Sequence, residues 1–148
     1  MKLNSSDFED GGDIPLKFTC QGEGISPTLS WSEIPAGAKS LALSLVDPDA
    51  PGGNFIHWLI INIPASASGI GQNETIGDEL PNTTGNTDYI PPCPPSGKHR
   101  YIFTLYALDV DHLDPQIISD FEAAIKPYIL DQAQLIGLYR KQQFARLV

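Results

Sequence analysis

His99-Arg100-Tyr101-Ile102-Phe103-Thr104-Leu105-Tyr106-Ala107-Leu108-Asp109-Val110 is the stretch that decides how this chain is read. Aromatic and apolar residues run along its whole length, and such residues suit a pleated, half-buried surface. It is the longest strand pattern in the sequence. Successive side chains of a strand point to opposite faces. His99 and Tyr101 therefore share one face, while Arg100 takes the other. A histidine and a phenol stand side by side where the strand begins.

Two more strands lie upstream. Ser40 to Val46 is an apolar run ended by Asp47-Pro48-Asp49-Ala50-Pro51. Proline cannot donate to a ladder, so the strand should stop there. Phe55 to Ile63 is closed by Pro64. Strict alternation places His57 on one face with Phe55 and Leu59. A histidine in such an apolar strand is costly to bury unless its ring nitrogens find partners. A carboxylate at a strand end, such as Asp47 or Asp49, is well placed to accept from an imidazole N–H. That bond fixes the tautomer and favours the charged ring. Beside a second histidine and a tyrosine hydroxyl, the set suits an anion held by charge-assisted hydrogen bonds.

The rest of the chain reads as turns, short strands and a little helix. Gly11 to Pro35, including Leu16-Lys17-Phe18-Thr19, should be short strands and turns. Ala65 to Gly97 reads as a long loop region ending in Pro91-Pro92-Cys93-Pro94-Pro95. Loops of that length are usually functional or disordered. Ser119-Asp120-Phe121-Glu122 fits a capping box with Ser119 as N-cap. Ala123 to Lys126 continue that helix, and Pro127 should kink or end it. Leu135 to Arg140 is expected to be an edge strand, because Gly137 weakens a helix.

Bulk composition agrees. The 148 residues suit one domain, 1–148, with a core large enough to need no metal or disulfide to fold. Hydrophobic residues make up 41% and charged residues 18%, a globular balance. Thirteen glycines and thirteen prolines imply many turns and a mainly β fold. A net charge of -9 argues against general nucleic-acid binding. No apolar run reaches the roughly 18 residues that span a bilayer. Met1 to Ser6 has no apolar signal core, so a cytoplasmic protein is expected. Cys20 and Cys93 have no CxxC spacing and are expected as two free thiols, bridged only if the fold brings them together. Asn73-Glu74-Thr75 and Asn82-Thr83-Thr84 match the glycosylation pattern, without the secretory signal that would make it meaningful.

Taken in order, Asp47-Pro48-Asp49-Ala50-Pro51, His57-Trp58 and Pro94-Pro95-Ser96-Gly97-Lys98-His99-Arg100-Tyr101 resemble the signature of the phosphatidylethanolamine-binding, or Raf kinase inhibitor-like, proteins. The likeness covers nearly the whole chain. Phe18-Thr19-Cys20-Gln21-Gly22, Ile25-Ser26-Pro27 and Leu135-Ile136-Gly137-Leu138-Tyr139 are similar to the bacterial and archaeal branch. The resemblance implies a large central β-sheet with a smaller sheet on one side and one or two helices on the other. It implies a pocket for phosphate, acetate or a phospholipid head group. By motif, its residues are Asp47, Asp49 at the rim, His57, His99 and Tyr101. Pro51 and Pro94 shape the mouth, with Cys93 beside them. Arg100 is given a structural role, such as pairing with a carboxylate. One departure stands out: Ile90, Pro91 and Pro92 follow Tyr89 where that branch usually has glycine. This wall should be stiffer and poorer in N–H donors. The C-terminal helix of vertebrate members is not evident.

A non-enzymatic anion-binding protein is therefore expected, without cofactor. No GxSxG elbow is present, and Ser96 has no base fixed to it. One alternative is a metal-dependent hydrolase, although no metal-ligand spacing such as HExxH occurs. Another is an inhibitor that meets a kinase or protease through the pocket rim. A homodimer is implied by the resemblance alone.

Overall fold

Three strands that are apolar on both faces need cover on both faces, and the architecture follows from that. The computed structural model describes residues 1–143. Its elements are β1 (Lys2–Asn4), a 3-10 turn (Leu16–Phe18), β2 (Leu29–Ser32), β3 (Ser40–Asp47), β4 (Phe55–Pro64), β5 (Gly69–Ile70), β6 (Asp78–Leu80), β7 (His99–Leu108), α1 (Phe121–Ile125), a second 3-10 turn (Lys126–Tyr128) and β8 (Ile129–Tyr139). A five-stranded antiparallel sheet has the order β6-β4-β3-β7-β8. A three-stranded sheet, β1-β2-β5, packs on one side of it. The short helix covers the other side.

Alternation sorts the core into two layers. Leu41, Leu43 and Leu45 of β3, with Tyr101, Phe103 and Leu105 of β7, meet Leu3, Leu29, Trp31 and Ile70 of the small sheet. Ala42, Leu59, Ile61 and Leu108 face the other way, against Phe121 and Ile125 of α1. β3 lies between β4 and β7 and is buried along nearly its whole length. This explains its unbroken apolar run. β8 forms one edge of the sheet, as Gly137 suggests. A Cβ on Gly137 would stand 2.5 Å from the Ile14 side chain, so the edge is covered tightly there.

Several details differ from the sequence reading. Leu16 to Phe18 form a 3-10 turn, not a strand. The 65–97 region holds β5 and β6, whose two and three residues are too short to leave a periodic signal. Asp120, not Ser119, caps α1, and its carboxylate accepts from the Ala123 N–H. The cap moves by one because a carboxylate satisfies an orphan N–H as well as a hydroxyl does. The helix stops at Ile125, and Lys126 and Pro127 enter a 3-10 turn.

The largest correction concerns the cysteines. Cys20 and Cys93 are not free thiols; they form a disulfide with Cα atoms 5.4 Å apart. The Cys20 N–H also bonds the Pro92 carbonyl at 3.1 Å, which brings the two segments together. The bridge closes a separation of 73 residues. A loop of that size should contribute about 4 kcal/mol through the unfolded chain. The double variant Cys20→Ser, Cys93→Ser should lose stability of that order, read as a lower denaturant midpoint. An unchanged midpoint would contradict it.

Candidate functional site

The site lies where β3, β4 and β7 end together. Asp47 is the last residue of β3, Phe55 and His57 open β4, and His99 and Tyr101 open β7. The segment 90–95 forms the facing wall. Together they line a cavity of about 240 Å³. That is small beside the roughly 300–1,000 Å³ of drug-sized sites.

A register shift aims His57. Leu45 pairs with Trp58, but the next residue, Val46, pairs with Ile56. His57 is thus the extra residue of a β-bulge. Strict alternation would have grouped it with Leu59. Leu59 instead packs on the helix side, whereas His57 lines the cavity and Trp58 joins the core between the sheets. The bulge turns two consecutive residues of β4 toward the same side.

The buried polar groups form two hydrogen-bonded sets side by side. Asp47, His57 and His99 are 3%, 5% and 7% exposed. His99 Nδ1 donates to Asp47 Oδ2 at 2.7 Å. The other oxygen of Asp47 accepts from the Asp49 N–H at 2.8 Å. His57 Nδ1 donates to the Ile90 carbonyl at 2.7 Å. These bonds set both tautomers, leaving each Nε2 without a protein partner among the described residues. Burial pushes the His57 pKa below its ordinary value, against the weaker opposite pull of Ile90 and Asp47.

Tyr101 completes the set. Its ring is fully buried, edge-on to His57 at 5.3 Å and stacked near His99 at 6.4 Å. Its hydroxyl is buried with no partner at full hydrogen-bond geometry, although the Asp47 carboxylate lies near enough to act on it. Burial and the Asp47 charge raise its pKa, so it stays protonated and able to donate.

Other expected site residues divide clearly. Pro51, Cys93 and Pro94 line the cavity. Asp49 does not; it faces Arg100, whose Nε and Nη2 reach its two oxygens at 3.0 and 2.8 Å. The Arg100 guanidinium holds the Asp49 carboxyl down to about 2. Ile90 and Pro91 line the space at the wall where the sequence departs from glycine, and Ala50, Phe55 and Pro95 also line it without having been named as site residues. Ile90 matters most, since its carbonyl anchors His57. A lone isoleucine before two prolines carries no signal of that role.

The wall is clamped to the 16–24 segment. Tyr89 Oη donates to the Phe18 carbonyl at 2.7 Å. The disulfide and the Cys20–Pro92 bond add two further ties. Pro91, Pro92, Pro94 and Pro95 have no N–H, and the Ile90 N–H is taken by the His57 carbonyl. Cys93 is the wall's remaining backbone donor.

Tyr101→Phe separates the roles of this geometry. A buried hydroxyl without a partner costs stability. Its removal should leave the unfolding midpoint unchanged or raise stability by about 1 kcal/mol. A clear loss of stability would show that the hydroxyl is satisfied within the fold.

Comparison with known proteins agrees with this geometry. The family model described as phosphatidylethanolamine-binding protein matches residues 4–140. The UPF0098 protein of Methanothermobacter thermautotrophicus is 47% identical over 150 residues, covering 95% of this chain and 99% of the relative. The crystal structure of CT736, a phosphatidylethanolamine-binding protein homologue from Chlamydia trachomatis, superposes with a TM-score of 0.90 at 41% identity, covering 95% of this chain and 97% of that one. YbcL of E. coli, described as a member of the mammalian PEBP family, gives a TM-score of 0.86 at 25% identity, covering 95% and 98%. The chain belongs to the phosphatidylethanolamine-binding protein family.

Proposed function

We propose that the protein is a non-enzymatic receptor for a small anion. The ligand would be a phosphate or carboxylate group, free or carried on a lipid head group, nucleotide or phosphorylated side chain. The buried Tyr101 hydroxyl carries this reading, because it has no partner at full hydrogen-bond geometry inside the fold. Buried polar groups are normally bonded, and one that is not points to a missing partner. Both imidazoles line the same cavity, each with its Nδ1 committed and its Nε2 without a protein partner among the described residues.

The cavity's size favours an ion or a head group over a larger substrate. Among the described residues, no three His, Cys, Asp or Glu are grouped to hold a metal, which gives a metal-dependent hydrolase no support. No helix among them is long and apolar enough to cross a membrane. Disulfides persist in oxidising compartments and, inside cells, in hyperthermophiles. The Cys20–Cys93 bridge therefore weighs toward an oxidising compartment and against the expected cytoplasmic location.

The test is titration with phosphate and phosphoethanolamine, followed by calorimetry and by the imidazole NMR signals. His57 and His99 should shift together and saturate, while the exposed His112 stays still. Asp47→Asn should weaken phosphate binding about tenfold or more, since it loses a charge-assisted bond. No heat at millimolar ligand would remove this reading and leave the rim, facing a protein partner, as the surface to examine.

A further inference from the structure

The two histidines of the cavity look alike in sequence but differ in what stands behind them. Behind His99 is the buried carboxylate of Asp47, at 2.7 Å from Nδ1. A second proton on that ring would be balanced. Behind His57 is only a neutral carbonyl, that of Ile90, also at 2.7 Å. A second proton there would leave a buried charge without a bonded counter-charge. With Nδ1–H committed to Ile90, the neutral His57 ring presents a lone pair at Nε2. His57 is thus an acceptor in a cavity where Tyr101 is a donor.

An acceptor in an anion site is a selection device. An oxygen with no proton meets the Nε2 lone pair with its own lone pairs, at a ring that is itself buried. An oxygen that still carries a proton donates it to Nε2 as a hydrogen bond. We infer that the cavity selects oxyanions that retain an O–H, inorganic phosphate and singly ionised phosphate monoesters, over oxyanions that have none, such as sulfate and phosphodiesters. This rests on the anion-receptor reading above and narrows it. The charges facing His57 are few. Asp47 comes from β3, and His99 and Tyr101 from β7. The wall adds none, because Cys93 is in the disulfide. Asp49 and Arg100 neutralise each other outside the cavity lining. Burial, which lowers the His57 pKa, keeps the ring in its accepting form at neutral pH.

Four probes separate the cases at pH 8: phosphate, sulfate, methyl phosphate and dimethyl phosphate. Inorganic phosphate keeps one O–H at that pH and should bind at least ~tenfold tighter than sulfate or dimethyl phosphate, the worth of one net hydrogen bond to a neutral group. Methyl phosphate loses its proton near pH ~6, so its affinity should fall about tenfold per pH unit above that. Phosphate affinity should stay nearly flat from pH 7.5 to 9. As pH falls and His57 protonates, the gap between phosphate and sulfate should narrow. His57→Gln, whose amide both donates and accepts, should bring the phosphate-to-sulfate ratio near one. Sulfate binding as tightly as phosphate to the unmodified protein at pH 8 would overturn this inference while leaving the anion receptor intact. No binding of either ion would overturn both.

Discussion

The bond between Asp47 and His99 is the constraint around which the site is organised. It joins the end of β3 to the start of β7, two neighbouring strands of the large sheet. Both partners are buried, so each depends on the other. Removing either would strand a polar group away from water. The carboxylate is held from its other side by the Asp49 N–H, and Asp49 is itself held by Arg100. The turn after β3 and the first residues of β7 are thus locked by one chain of bonds. The cavity inherits its shape from that lock.

The opposite wall is built on a different principle. Proline-rich backbone cannot join a ladder, so the 90–95 segment is fixed by side chains and by its neighbours. Tyr89 and the disulfide hold it to the 16–24 segment, while Ile90 exchanges two bonds with His57. Few backbone donors remain on it for a ligand. Under the proposed anion-receptor reading, recognition would pass to the imidazoles and the phenol that line the cavity. A glycine-rich wall would offer N–H groups indifferent to pH. Under the inference drawn above, this wall would leave selectivity to His57.

Much of this could be read in the chain itself. The apolar runs at Ser40–Val46 and Phe55–Ile63 and the aromatic stretch from His99 are strands because no other element suits such residues. Proline after Asp47 and at Pro64 marks their ends. His99 and Tyr101 share a face in the sequence and in the fold, because β7 pairs without interruption across that region. Asp120 as helix cap, by contrast, was hidden by a neighbouring serine equally suited to the role. β5 and β6 were hidden by their brevity, since two or three residues show no period.

The sequence by itself determined the strands, the two-layer apolar pattern and the motif residues, since these depend on local spacing and side-chain type. Tertiary structure alone decided which way His57 points, what stands behind each imidazole, and that Cys20 meets Cys93. His57 shows the reason most clearly. Alternation along β4 is broken by a bulge, and a bulge exists only relative to the partner strand. No period within one strand records it. The disulfide spans 73 residues, and the Ile90 carbonyl reaches His57 from 33 residues away. Such contacts are set by how the sheet closes, so the chemistry of the cavity emerges only once the distant segments have packed.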